Sequence, residues 1–511
     1  YAKAEGKPMA VMLHGTLGIQ HASMSIYQAY NSGTPMLLIV GRDVGFIQAH
    51  TADDMAAMCR SFTKWDAQPT TLSECIDTLH EAYRQAVTPP TGPTMVVIDI
   101  ELQKEEAQDF NLPQFRPAAI EGLDTATGKT IAEKLLNASN PRLETGMFRT
   151  PEGIEAAVQL AELIGASTST TSTAGPMGFP QRHPLCGPGA ESNYDYVLGL
   201  EANSPDLSLR RPIVNSITSQ RDVMGIGFGS LREDYVPTPP GSEPTPLAQS
   251  QRQPQGTVLE IDAQTSIPVI IAELSRLITP AKQREIAQRK TRHTRANREN
   301  FLATLRAAVE EKTKGWDLSP VSTARIYAEL WPLIMDEDWC LASPSNFSGA
   351  HHRELWEHNK PYSFLGTQGA AGMGYGPGAS AGAALAARSR GRFVVNVQPD
   401  GDLNYAPGAL WTAVHHELPM LTVMHNNRAW HQEYMFIQYL AGVRGRGTDR
   451  GHIGCVLRDP FIDYSKMAQA YGMDSEGPIE DPALLAAALG RGVESVKTGK
   501  PYLIDVVTQP R

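Results

Sequence analysis

The clearest pattern of hydrophobic and polar positions lies late in the chain. Two short apolar runs rich in β-branched residues, Phe393 to Val397 and Met420 to Met424, each end abruptly in polar or turn residues. The first is followed by Gln398-Pro399-Asp400-Gly401 and the second by His425-Asn426-Asn427. Runs of this length with such boundaries predict buried strands, and the segment between them predicts a helix from about Pro407 to His416. The unit is therefore strand, turn, helix, strand, with an acid at the end of one strand and an amide at the end of the next. In a parallel sheet those ends are neighbours on the edge where ligands bind. A carboxylate, an amide oxygen and nearby backbone carbonyls are hard ligands, suited to Mg2+ or Ca2+ carrying a phosphate rather than to zinc.

The same reading organises the rest of the chain. Residues 1–115 alternate predicted strands (Met9–Leu13, Met36–Val40, Thr94–Ile98) with predicted helices (Ala22–Tyr30, Asp53–Phe62, Thr71–Ala86). Residues 124–280 form a second, less regular pattern: a helix at Glu152–Ile164, a strand at Tyr196–Leu200, and a helix at Pro268–Leu277 with its proline expected at the first helical position. Pro237 to Gln255, rich in Pro, Ser and Gln, reads as an exposed loop. Residues 281–317 read as a charged linker helix. Its basic run, Lys282 to Arg298, has no aromatics and is interrupted by acids, which favours a solvated face over a nucleic-acid patch. A third unit, 318–511, opens on a predicted helix, Pro320–Ile334, and carries the two strands described first. The whole is an α/β chain of three parallel-sheet units in series.

Composition narrows the setting. A chain of 511 residues has room for about three domains. Its net charge of −10 gives no general basic field for nucleic acid. Cys59, Cys75, Cys186, Cys340 and Cys455 are scattered, with no CxxC pair, which favours a reducing cytoplasm over a disulfide frame or a zinc site. No apolar run approaches membrane-spanning length and no signal-peptide pattern opens the chain. The expectation is a cytoplasmic protein with a small-molecule substrate and neither a nucleic acid nor a membrane as partner. The chain opens at Tyr1 inside what reads as a short helix, directly before a strand, so a further segment upstream is expected.

A glycine-rich run, Gly366 to Gly378, leads into an Ala-rich helix predicted at Ala379–Ala387. It serves either close backbone approach to an anion at a helix N-terminus or a tight helix–sheet junction. Set beside the Asp400-Gly401 … Asn426-Asn427 spacing, it resembles the thiamine diphosphate (ThDP) enzymes of the benzoylformate decarboxylase and acetohydroxyacid synthase kind. Their diphosphate motif is Gly-Asp-Gly, some two dozen residues, then Asn-Asn. The resemblance implies three doubly wound parallel-sheet domains: pyrimidine-binding (1–115), middle (124–280) and, after the linker, diphosphate-binding (318–511). It implies that Asp400, the Asn427 side chain and the Ala429 carbonyl ligate Mg2+ or Ca2+. Gly372, Gly401, Asp402, Leu403 and Asn427 would hold the diphosphate, and Met373 would wedge the cofactor into its bent form. Two residues depart from the pattern. Pro399 replaces the first glycine, which puts the turn geometry in question. Asp402 replaces a small residue and adds charge beside a diphosphate unless it points away or touches the metal shell.

The resemblance also covers LHGTLGIQHASMSIYQAY, which contains His14, and SGAHHRELWEH, which contains His351 and His352. It implies that His14 faces the substrate and that one of His351 and His352 does so too. His50 sits roughly where pyruvate decarboxylase has a His-His-Thr segment. Gln432 and Phe436 match substrate-cavity positions. The activating glutamate of the family would lie upstream of Tyr1, and the stretch Gly225–Leu231 holds no second active-site histidine. The implied activity is cleavage or formation of a C–C bond on a 2-oxo acid or related 2-hydroxyacyl compound, of the benzoylformate decarboxylase kind. Alternatives are an acetohydroxyacid synthase-like carboligase, a 2-hydroxyacyl-CoA lyase and a non-catalytic regulatory subunit of the same fold. No FAD is expected. A homodimer that completes the active site, paired into a homotetramer, is.

Overall fold

The computed structural model describes residues 1–43, 50–106, 122–148, 150–170, 177–191, 193–201, 222–226, 257–259, 261–344, 351–367 and 372–510. The expected loop Pro237–Gln255 and most of Gly225–Leu231 lie outside them. The chain divides into two compact units, one made largely of residues 6–301 and the other of residues 302–511 with part of the N-terminal turn.

The first unit holds two parallel sheets. One has strands β1 (Met9–His14), β2 (Met36–Arg42), β3 (Trp65–Ala67) and β4 (Pro93–Asp99) in the order β1-β2-β4-β3. The Gly15–Asn31 helix starts directly at the end of β1. The Leu72–Val87 helix is fixed at its start by a reciprocal capping box between Thr71 and Glu74. The helix expected at Asp53–Phe62 is instead two 3-10 turns, Ala56–Met58 and Arg60–Phe62, with β3 following. The backbone leaves the helical region at Cys59, where ψ is 0°, and Arg60 is forked between Asp54 and Asp66 on either side.

The other sheet has β5 (Pro141–Thr145), β6 (Ser167–Thr170), β7 (Tyr196–Leu200), β8 (Asp222–Ile226) and β9 (Thr257–Leu259) in the order β6-β5-β7-β8-β9. Ile131, Leu135, Leu143, Leu160, Leu198, Ile267 and Leu274 build its core with the flanking helices. Pro151 opens one helix and Gly165, at φ 63°, closes it. Pro268 is not at a helix start: its helix runs Ala263–Leu277, capped by the Asp262 carboxylate on the Thr265 amide at 2.9 Å. The side-chain cap sets this start, and the proline falls inside.

The expected solvated linker is a 33-residue helix, Pro280–Lys312, with a buried stripe. Ile286, Arg289, His293 and Asn297, spaced by three or four residues, all face inward. Arg289 donates to the Ile164 and Ala138 carbonyls, which close two helices of the second sheet. A cation at two helix C-termini is favourable, and here it also satisfies carbonyls that lack helical partners. Asn297 and His293 accept the Gly189 and Ala190 amides at 2.7 and 3.0 Å. Part of the basic run is therefore structural.

The second unit has β10 (Trp339–Ser343), β11 (Phe393–Pro399), β12 (Met420–Asn426), β13 (Asp474–Ile479) and β14 (Tyr502–Val507), all parallel, in the order β10-β11-β12-β14-β13. Both faces are covered by helices. Phe393, Val395 and Val397 of β11 enter one core and Val394 the other, so Asn396 and Gln398 share the second face. The helix before β10 begins at Thr323, with Ser322 as its cap, rather than at Pro320.

Candidate active site

β11 and β12 are adjacent and in register to the end, where Pro399 lies opposite His425. The proline has φ −65° and ψ 142°, values that its ring favours, and a four-residue helical turn, Asp400–Leu403, follows it. The departure at this position therefore leaves the turn unstrained.

Asp400 is 1% exposed. Its carboxylate accepts the Gly401 amide at 2.8 Å and the Ala429 amide at 3.1 Å, and the Asn427 Oδ1 accepts the same Ala429 amide at 3.1 Å. Two hard oxygens thus converge on one N–H, at the ends of neighbouring strands. Burial pushes the Asp400 carboxyl up to about 7, against the pull of its backbone N–H partners. A buried carboxylate with no basic side chain bonded to it among the described residues is a site that a divalent cation stabilises. The residues present therefore fit an Mg2+ or Ca2+ ion carrying a phosphate.

The cavity beside these oxygens is lined by Met373, Pro399, Asp400, Gly401, His425, Asn427, Ala429, Trp430, His431, Gln432 and Glu433. Gly401 has no side chain for a reason: a Cβ there would come within 2.5 Å of the Trp430 ring. The Trp430 Nε1 and Gln432 Oε1 are buried without a hydrogen-bond partner among the described residues, and both residues line the cavity. A ligand or water is needed to satisfy them. Behind the cavity the Asp505 carboxylate accepts the Asn426 side-chain amide at 2.9 Å and the Tyr464 backbone amide at 3.0 Å. The Tyr464 hydroxyl in turn donates to the Asp400 carbonyl at 3.3 Å. Burial raises the Asp505 carboxyl to about 6.

A chain with an oxygen-ligand pair at adjacent strand ends, a glycine-rich helix start nearby and a bulky apolar residue in the same cavity matches known proteins. Residues 347–506 match the family model described as thiamine pyrophosphate enzyme, C-terminal TPP binding domain. The chain is 24% identical to a benzoylformate decarboxylase of Pseudomonas aeruginosa, over 100% of this chain and 89% of that protein. It is 21% identical to the mitochondrial acetolactate synthase catalytic subunit of Aspergillus candidus, over 100% of this chain and 73% of that one. The crystal structure of benzoylformate decarboxylase from Polynucleobacter necessarius superposes with a TM-score of 0.73 at 18% identity, covering 100% of this chain and 90% of that one. These likenesses support a place in the thiamine diphosphate-dependent decarboxylase and carboligase family.

Within that family's frame, the structure gathers Met373, Asp400, Gly401, Asn427, Ala429 and Gln432 around one cavity. It places other expected residues elsewhere. Asp402 directs its carboxylate to the Gly374 and Gly376 amides at 2.6 and 3.2 Å, turned to the glycine-rich run. Leu403 is a core side chain, so only its backbone is left for a ligand. Gly372 is buried beside Met373. Phe436, on the His431–Val443 helix, is 55% exposed and outside the cavity lining. His352 is buried, 3.1 Å from His358 and packed on Phe364. That core position, which also holds its imidazole neutral by desolvation, does not suit a group that faces substrate. His351 is half-buried with its ring near Tyr327.

His14 and His50 lie in the other compact unit, and the fold brings them together: His14 Nε2 and His50 Nδ1 are 3.0 Å apart. Gly15, at φ 46°, makes this approach possible, because a Cβ there would meet the His50 carbonyl at 2.7 Å. The Ala52 amide donates to Thr16 Oγ1 and pins the same segments together. His425, His431, Tyr464 and Asp505 also flank the strand-end oxygens. Of these, only His425, at a strand end one residue before Asn426-Asn427, carried any signal in the sequence.

Proposed function

We propose that the protein cleaves the bond next to the carbonyl of a 2-oxo acid with ThDP and Mg2+, as a decarboxylase similar to benzoylformate decarboxylase. The observation that supports this most is the buried Asp400 carboxylate and the Asn427 oxygen on one amide, in a cavity shared with Met373. In this reading Asp400, the Asn427 Oδ1 and the Ala429 carbonyl hold the metal. The backbone of Gly372, Gly401, Asp402 and Leu403 holds the diphosphate, with Met373 against the cofactor's rings. When bound, ThDP supplies an electron sink for the electron pair left by C–C cleavage.

Gln432 orients the substrate. His14 Nε2 and His50 Nδ1 face each other at hydrogen-bond distance, and such a pair can hold a proton and pass it on. The His431–Val443 helix exposes Met435, Phe436, Ile437, Tyr439, Leu440 and Val443 on one element, a surface that supports a homodimer, and through it a tetramer. Calorimetry with ThDP should show binding that requires Mg2+. A panel of 2-oxo acids, 2-hydroxyacyl-CoA thioesters and aldehydes, read by mass spectrometry, should yield an aldehyde and CO2 from a 2-oxo acid. A larger acetolactate-type product would move the assignment to a carboligase, and absence of ThDP binding would end it.

A further inference from the structure

Asn396 and Gln398 are 1% and 0% exposed in a strand whose other inward positions are valine and phenylalanine. Two buried amides in the middle of a sheet cost stability unless a network satisfies and uses them. Here the network has a direction. Asn396 Nδ2 donates to Gln398 Oε1 at 3.1 Å, and Gln398 Nε2 donates to Asp402 Oδ2 at 2.7 Å. The two Asp402 oxygens then accept the Gly374 and Gly376 amides. These amides belong to the start of the 13-residue Tyr375–Ala387 helix, directly after Met373. Gly376 is glycine at the point of closest approach. A Cβ there would clash with Gln398 Oε1 and come within 2.9 Å of Asp402 Oδ2.

We infer that Asn396, Gln398 and Asp402 form a clamp that positions Met373, with the Asp402 carboxylate as a positioning group turned away from the diphosphate. The negative charge at residue 402 thereby changes function. An acid that would repel a diphosphate if it faced the ligand instead accepts backbone amides at the start of a helix. The turn that carries Met373 is held by side chains of this chain before any cofactor arrives. The diphosphate and metal are left to Asp400, Asn427 and the backbone of the loop. This assignment rests on the ThDP reading for what Met373 does, but the clamp itself is a property of the cofactor-free protein.

The test separates the two. Amide hydrogen exchange of residues 374–376 in the cofactor-free protein reads the clamp, and calorimetry of ThDP with Mg2+ on the unaltered protein reads the family assignment. Asp402→Leu should speed exchange of the Gly374 and Gly376 amides about tenfold or more, with Asp402→Asn intermediate because it keeps one acceptor oxygen. Gly376→Ala should do the same with the carboxylate intact. With ThDP and Mg2+ added, Asp402→Asn should lower kcat several-fold and change the ThDP dissociation constant by about twofold at most, since the metal ligands are untouched. The inference is overturned if the 374–376 amides exchange alike in all three variants and the parent. It is also overturned if β12 loses protection to the same degree, or if the loss falls on ThDP affinity with kcat retained. Fast exchange in the variants together with no ThDP binding by the parent protein would keep the clamp and remove the cofactor assignment.

Discussion

The strand-end oxygens and the imidazole pair are built by opposite rules. Asp400 is buried, braced from behind by Tyr464, Asn426 and Asp505, and its position is over-determined by several hydrogen bonds. The His14–His50 pair joins two side chains on different elements by a single contact, and His14 is exposed. An anchor for a metal and a diphosphate gains from pre-organisation, because any slack is lost as affinity. A group that exchanges protons must reach solvent or substrate, so it cannot be packed in the same way. Under the proposed function, the difference puts binding in the braced buried oxygens and turnover in the sparsely held imidazole pair.

The largest expected effect falls on the anchor. Asp400→Ala should weaken Mg2+-dependent ThDP binding by on the order of 100-fold or more, measured by calorimetry. It should leave the cofactor-free protein no less thermally stable above pH 7, because a buried charge is removed. If Asp400→Ala bound ThDP normally, the contrast between the two regions would collapse. Next in size, His14→Ala should lower kcat roughly 100-fold with the ThDP dissociation constant unchanged. His50→Ala should cost less, and the double variant should cost no more than His14→Ala alone, since the two rings act through one contact. Gly15→Ala sharpens the point without touching an imidazole. Strain at a positive φ and the clash with the His50 carbonyl should part the pair and lower kcat about tenfold.

How much of this was legible in the sequence follows the same division. The strands Phe393–Val397 and Met420–Met424 and their polar ends were readable because a fully buried parallel strand is a dense apolar run with an abrupt edge. Tyr196–Leu200 was readable for the same reason. The short strands β3 and β9 were not, since three residues give no period. The capped start at Asp262 was hidden by the more conspicuous Pro268. The buried stripe of the Pro280–Lys312 helix was missed because Arg289 and Asn297 are polar by type, and only the fold shows that they face helix-end carbonyls and a loop backbone. The partner of His14 was invisible for a related reason: a contact across 36 positions depends on how β1 and the segment after β2 meet. Asp402 stood out in the sequence as a departure, but its three donors come from β11 and the glycine-rich turn, which no local pattern joins.

The smallest effect on activity, and the cleanest on stability, should come from the brace behind the anchor. Burial raises the Asp505 carboxyl to about 6 from an ordinary 3.8. The folded protein therefore holds this proton more tightly than the unfolded chain does. Stability from this group is fully present below about pH 4 and is lost as pH rises through 6, a change of about 3 kcal/mol across that window. Asp505→Asn should flatten the fall in unfolding free energy between pH 4 and 6, measured by urea titration without metal or cofactor. The slope contributed by Asp400, which titrates higher, should persist in both proteins, so their difference isolates Asp505. Activity at neutral pH should change by about twofold or less, because an amide oxygen can still accept the Tyr464 backbone N–H. A larger loss of ThDP affinity would mean that Asp505 acts on the metal through Asn426 as well as on the fold, and the brace would then belong to the anchor itself.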